Sequence, residues 1–143
     1  MMRILAAFLM IGLAASQPAL AEIGRVKRSQ GTAVVQRGPA KLPATAGLKL
    51  EKGDVLVTAK DGRMALTFID NTRFAVGPNS RVSVNEYLFD RRSQKGTFVT
   101  QVDRGSLAVV SGQIAKSGQD AMKVRTPKSL LGVRGTRFVV AVP

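Results

Sequence analysis

The chain has 143 residues, with 22 basic against 9 acidic side chains and neither histidine nor cysteine. Missing imidazoles and thiols exclude most metal sites, Ser-His-Asp triads, cysteine nucleophiles and disulfides, so packing alone has to hold the fold. The formal net charge of +13 draws polyanions, but one Tyr and no Trp leave no aromatic–basic interleaving of the kind that single-stranded nucleic acid needs.

The first residues point to export. Met1-Met2-Arg3 places one positive charge before an apolar run over residues 4–15, then a polar break at Ser16-Gln17-Pro18 and the small-x-small sequence Ala19-Leu20-Ala21. This order is that of a secretory signal peptide, with cleavage expected after Ala21. The apolar run is well short of the roughly 20 residues that span a bilayer, and Pro18 breaks a helix before it reaches that length. The expected division is therefore a signal peptide over residues 1–21 and one domain over 22–143, periplasmic or secreted, with no stable membrane span after processing.

From Gly31 onward the chain reads as short strands between turns. Thr32-Ala33-Val34-Val35-Gln36 is a first β-rich run. Gly38-Pro39-Ala40-Lys41-Leu42-Pro43 reads as a loop, because its two prolines exclude helix and central strand. Val55-Leu56-Val57-Thr58 follows Gly53-Asp54. Period-two alternation is clearest next: Met64, Leu66 and Phe68; Phe74 and Val76; Val82 and Val84; Phe98, Thr100 and Val102; Leu107 and Val109; Phe138, Val140 and Val142. Glu86-Tyr87-Leu88-Phe89 either exposes a large apolar side chain or is buried on both faces. Turn formers stand between the runs at Asp61-Gly62, Asp70-Asn71, Gly77-Pro78-Asn79-Ser80, Arg104-Gly105, Gly112 and Gly118. Residues 111–120 are polar and glycine-punctuated and read as a loop. No helical stripe is evident after residue 21, so an all-β fold is predicted.

The carboxylates of this region mostly sit where turns use them. Asp61 precedes Gly62 and Asp70 precedes Asn71, as expected of side chains that accept from their own turn amides. No spacing demands a carboxylate pair across a cleft, and no acidic cluster suggests calcium. Neither catalysis, a cofactor nor a metal is expected.

Taken in order, the motifs resemble the FecR-type periplasmic domain. They are Gly53-Asp54 with Thr58, Asp61-Gly62, Gly77-Pro78-Asn79-Ser80, Arg104-Gly105, Thr126-Pro127 and the closing Gly132-Val133-Arg134-Gly135-Thr136-Arg137-Phe138, and the resemblance covers residues 53–142. It implies an all-β, single-domain, solenoid-like or roll-like stack of short strands. It also implies the periplasmic part of an anti-sigma regulator, but the leader and the stop at Pro143 suggest a stand-alone secreted form. Most signature residues read as turn formers. Arg134, Gly135 and Thr136, with Arg125 and Lys128, are the candidate partner-binding set, and Asp70 or Asp103 is a possible internal partner for Arg134.

The expected function is a non-catalytic binding or scaffold module for an envelope protein or an anionic envelope polymer, with no nucleic acid partner. The alternative is a regulatory sensor that modulates a cell-surface, anti-sigma-type system in trans. The sequence decides neither ligand nor oligomeric state.

Overall fold

Residues 21–135 and 137–143 are described by the computed structural model, so the expected leader lies, apart from Ala21, outside the described residues. In chain order the strands are β1 (Gly24–Gln30), β2 (Ala33–Arg37), β3 (Ala40–Pro43), β4 (Lys49–Leu50), β5 (Val55–Thr58), β6 (Arg63–Phe68), β7 (Arg73–Val76), β8 (Arg81–Asp90) and β9 (Lys95–Val110). The helix α1 (Gln113–Ser117) follows, then β10 (Met122–Arg125), β11 (Leu130–Val133) and β12 (Arg137–Val142). Strand accounts for 59% of the described residues and helix for 4%, which bears out the all-β expectation.

The architecture is a curled half-barrel sheet, and β9 is its hinge. The first half of β9 lies between β8 and β10; its second half lies between β7 and β12. One wing continues β8-β5-β2-β3, and the other continues β7-β6-β1-β4. Among the described residues every pairing is antiparallel except that of β9 with β10. The curled sheet establishes the all-β class, a coarser result than the solenoid-like or roll-like stack that the resemblance implies.

The curl encloses one core. Met64, Leu66, Phe68, Phe74, Val76, Val82, Val84, Phe98, Val102, Leu107 and Val109 all point into it, as the period-two pattern requires. Four aromatic rings form its centre. Phe68 meets Phe74 and Phe98 edge to face at 4.8 Å, and Tyr87 meets Phe98 the same way at 4.8 Å. Such pairs add about 0.5–1.5 kcal/mol each beyond the area they bury.

Three local readings change, and the open one at residues 86–89 is decided for an exposed apolar side chain. Gly38-Pro39 is a hairpin turn, and the residues after it form the strand β3 rather than a loop. Because β3 is an edge strand, Pro43 costs no ladder bond. The strand β1 precedes the first β-rich run; it carries only Val26 into the core and is held by its ladder to β6. A register shift between Val84 and Glu86 inverts the phase of β8, so that Tyr87 is buried while Leu88 is 71% exposed. Finally, residues 113–117 form α1, which drives Ile114 and Ala115 into the core.

That helix has no side-chain cap of its own. Its first amides are satisfied from Asp70, across 44 residues of sequence: Gln113 N donates to the Asp70 carbonyl at 2.8 Å and Ile114 N to Asp70 Oδ2 at 3.2 Å. Glycine is required just before it, since a Cβ on Gly112 would sit 2.3 Å from the Asp70 carbonyl oxygen.

Candidate functional site

The motif residues divide into those that hold the fold together and those that face outward. Asp54 is buried beneath Arg37, which donates to it twice at 2.9 Å, from Nε to Oδ1 and from Nη2 to Oδ2. The amide of Glu51 donates to the same carboxylate, and Arg37 Nη2 also reaches the Lys49 carbonyl. Hydrogen bonding to Asp54 holds the Arg37 guanidinium above its ordinary pKa. The pairing of Gln36 with Val55 brings these partners together, so the aspartate of the Gly-Asp motif ties β2 to the turn before β5.

Ser80, at the end of the Gly-Pro-Asn-Ser turn, is fully buried. Its amide donates to Thr58 Oγ1 at 3.0 Å, that hydroxyl donates to the Gly77 carbonyl at 2.6 Å, and Ser80 Oγ accepts from Ser106 N at 2.9 Å. Three motifs separated in sequence therefore close on one another, as the structural reading of this turn expects.

Asp70 is buried rather than merely a turn former. Oδ1 accepts from Tyr87 Oη at 2.8 Å and Thr72 N at 3.2 Å; Oδ2 accepts from Thr72 Oγ1 at 2.7 Å and from Ile114 N. The Tyr87 oxygen in turn accepts from Asp70 N at 3.1 Å. Burial, reinforced by the Asp70 carboxylate, pushes the Tyr87 hydroxyl well above its ordinary 10.0. The folded chain thus keeps a neutral phenol at a pH where the unfolded chain ionises. The stability this supplies is complete below pH 10 and is lost as pH rises further. Thermal melts from neutral to alkaline pH should show Tyr87→Phe less stable than wild type at neutral pH, with the gap closing above pH 10; a gap independent of pH would contradict this coupling.

The five candidate partner-binding residues do not form one cluster. Arg125 is exposed at the end of β10, and Lys128 is exposed in the turn between β10 and β11. Arg134 and Gly135 lie at the opposite end of β11, exposed, beyond a four-residue strand about 10 Å long. Thr136 falls outside the described residues. Neither expected partner serves Arg134: Asp70 is engaged as above, and Asp103 accepts from Gln101 at 2.7 Å and faces Arg81 at 3.6 Å.

A better-formed surface lies on the outer face of β1, β6, β7, β9 and β12. The registers align Arg28, Ala65, Ala75, Ala108 and Val139 in one row across the strands. The parallel row is Thr67, Arg73, Val110 and Arg137. On the other side Arg63 is followed by Gly77 and Ser106, whose side chains are small or absent. The result is a shallow trough with a floor of methyl groups. It consists of two adjoining depressions of about 510 and 830 Å³. Lys27, Arg28, Arg63, Arg73 and Arg137 rim it, and none of the described residues lining it is acidic. Sequence reasoning missed this site because its residues are scattered over 27–139 and only the strand registers assemble them.

Comparison with known proteins bears on the whole domain. The family described as FecR protein matches residues 54–142, more than half of the chain and nearly the whole stretch that the motifs cover. This chain belongs to the FecR family. Membership points to a signalling-related or sensor module, in a family that is typically envelope-associated. No helix among the described residues is long and apolar enough to cross a membrane. No curated protein and no solved structure matches the chain.

Proposed function

We propose that this FecR-family chain is a non-catalytic periplasmic module that binds an anionic envelope partner through the outer face of β1, β6, β7, β9 and β12. The observation that carries the reading is the trough: five cations around a floor of alanines, with no lining carboxylate among the described residues. A potential of one sign over a concave surface concentrates and orients anionic partners. The internal carboxylates support the non-catalytic part, because Asp54 and Asp70 are engaged in hydrogen bonds that join distant segments.

Family membership favours a second reading, a sensor that modulates an anti-sigma-type system in trans, and the same face serves it if the partner is an acidic protein surface.

Co-sedimentation with outer-membrane vesicles tests the first reading. At low ionic strength the double variant Arg28→Glu/Arg73→Glu should bind about tenfold more weakly or worse, since each basic residue near an anionic surface contributes about 1 kcal/mol. Reversing Arg125 and Lys128 should leave binding within about twofold by the same reasoning. The opposite pattern would move the site to the β10–β11 hairpin. Strong vesicle binding that ignores both substitutions would refute the proposal.

A further inference from the structure

One row of the trough runs from a cation to an apolar side chain, while Arg73 and Arg137 flank it in the next row. Lys27 and Arg28 stand at the β1 end, and the β12 end carries Val139, 70% exposed, beside the partly buried Phe138. Between them run Ala65, Ala75 and Ala108, in mutual register. Four steps between neighbouring strands cover about 19 Å.

This arrangement selects among anionic ligands. An extended acidic peptide would lay backbone N–H groups on methyl groups that cannot accept from them, and unpaired amides out of water are costly. A glycan or a single-stranded nucleic acid would want aromatic platforms, whereas the floor is alanine. The two depressions are of small-ligand size, within the range of roughly 300–1,000 Å³. A hydrocarbon chain needs no hydrogen-bond partners and gains from an apolar floor.

We infer that the trough takes a single-chain anionic amphiphile, its acyl chain lying across the alanine row toward Val139 and its carboxylate or phosphate held by Lys27 and Arg28. This deepens the reading given under Proposed function and rests on it for the choice of face.

The probe is hexadecanoate, titrated calorimetrically into the purified protein below its critical micelle concentration, with hexadecan-1-ol as the neutral counterpart. Saturable one-to-one binding is expected, about tenfold or more weaker for the alcohol and for Arg28→Glu, a loss in keeping with one charge contact. Ala75→Trp, at an exposed position in the middle of the floor, should block the chain and abolish binding with an unchanged melting curve. Should that variant unfold, Ala75→Glu replaces it, placing a carboxylate under the chain. Equal binding of acid and alcohol, indifference to the floor substitution, or binding to anionic bilayers without uptake of the monomeric acid would each overturn the inference. If hexadecanoate fails while Arg28→Glu/Arg73→Glu still releases the protein from vesicles, only this inference falls and the anionic-partner reading stands.

Discussion

Replacing Asp70 with alanine should lower the melting temperature by about 10–20 °C, the largest loss expected of any single polar substitution here. The carboxylate is fully buried and joins three segments: its own turn through Thr72, the bulged strand β8 through Tyr87, and the first turn of α1 through Ile114. Alanine leaves the Tyr87 hydroxyl, the Thr72 hydroxyl and the Ile114 amide without this acceptor. A buried donor left unmade costs about 1–3 kcal/mol, so a total of about 3–5 kcal/mol is reasonable after partial relaxation. Against the 5–15 kcal/mol typical of a domain, that is a large share.

Two controls separate the knot from a general loss of packing. Asp70→Asn keeps the volume and one acceptor oxygen, and its amide nitrogen then faces a donor; it should lose about half as much. Tyr87→Phe removes one hydroxyl, and the double variant should fall short of the sum of the singles by about 1–3 kcal/mol, because both act in one network. Hydrogen exchange supplies an independent readout, since the Ile114 amide should lose protection in Asp70→Ala more than amides of β2 or β5. A melting shift under about 3 °C with Ile114 still protected would show that the knot is ornamental.

Asp70 also shows where sequence reading stops. Its position before Asn71 marks a turn, and Asn71 does adopt a positive φ of 69°. What could not be read is that the carboxylate points inward, because its partners lie 17 and 44 residues away. The strands β6 and β7 were legible because their alternation is unbroken and their buried residues are large. Strand β1 was not, because an edge-side strand with a single core valine carries almost no hydrophobic period. The inversion at Tyr87 needs one extra residue in β8, a backbone event that leaves no mark in the side-chain pattern. In α1 the five helical residues are too few to show a period of 3.6. Arg125, Lys128 and Arg134 were visible as exposed cations within a motif, but the trough became visible only once Ala65, Ala75 and Ala108 were known to be neighbours.

The second large effect should come from Gly105→Ala, expected to destabilise the protein by about 4 kcal/mol through two causes that can be separated. Gly105 has a φ of +86°, a backbone conformation that strains any L side chain, and an added Cβ would lie 2.1 Å from Ser80 Oγ and 2.5 Å from Ser80 Cα. Ser80 cannot yield, because its hydroxyl accepts from Ser106 N and its amide is held by Thr58. The matching control is Gly47→Ala, where φ is +91° and an added Cβ would meet nothing within 4 Å. That variant measures the backbone strain alone and should lose only about 1 kcal/mol. The remaining difference between the two variants reports the collision. Adding Ser80→Ala to Gly105→Ala removes the nearest atom but leaves the Ser80 Cα and Cβ within 2.6 Å of the new methyl, so rescue should be partial at best. If Gly105→Ala and Gly47→Ala proved equally mild in denaturant titrations, the Arg104-Gly105 and Gly77-Pro78-Asn79-Ser80 turns would not interlock as described. The co-occurrence of these two turns in the chain would then need a reason other than mutual packing.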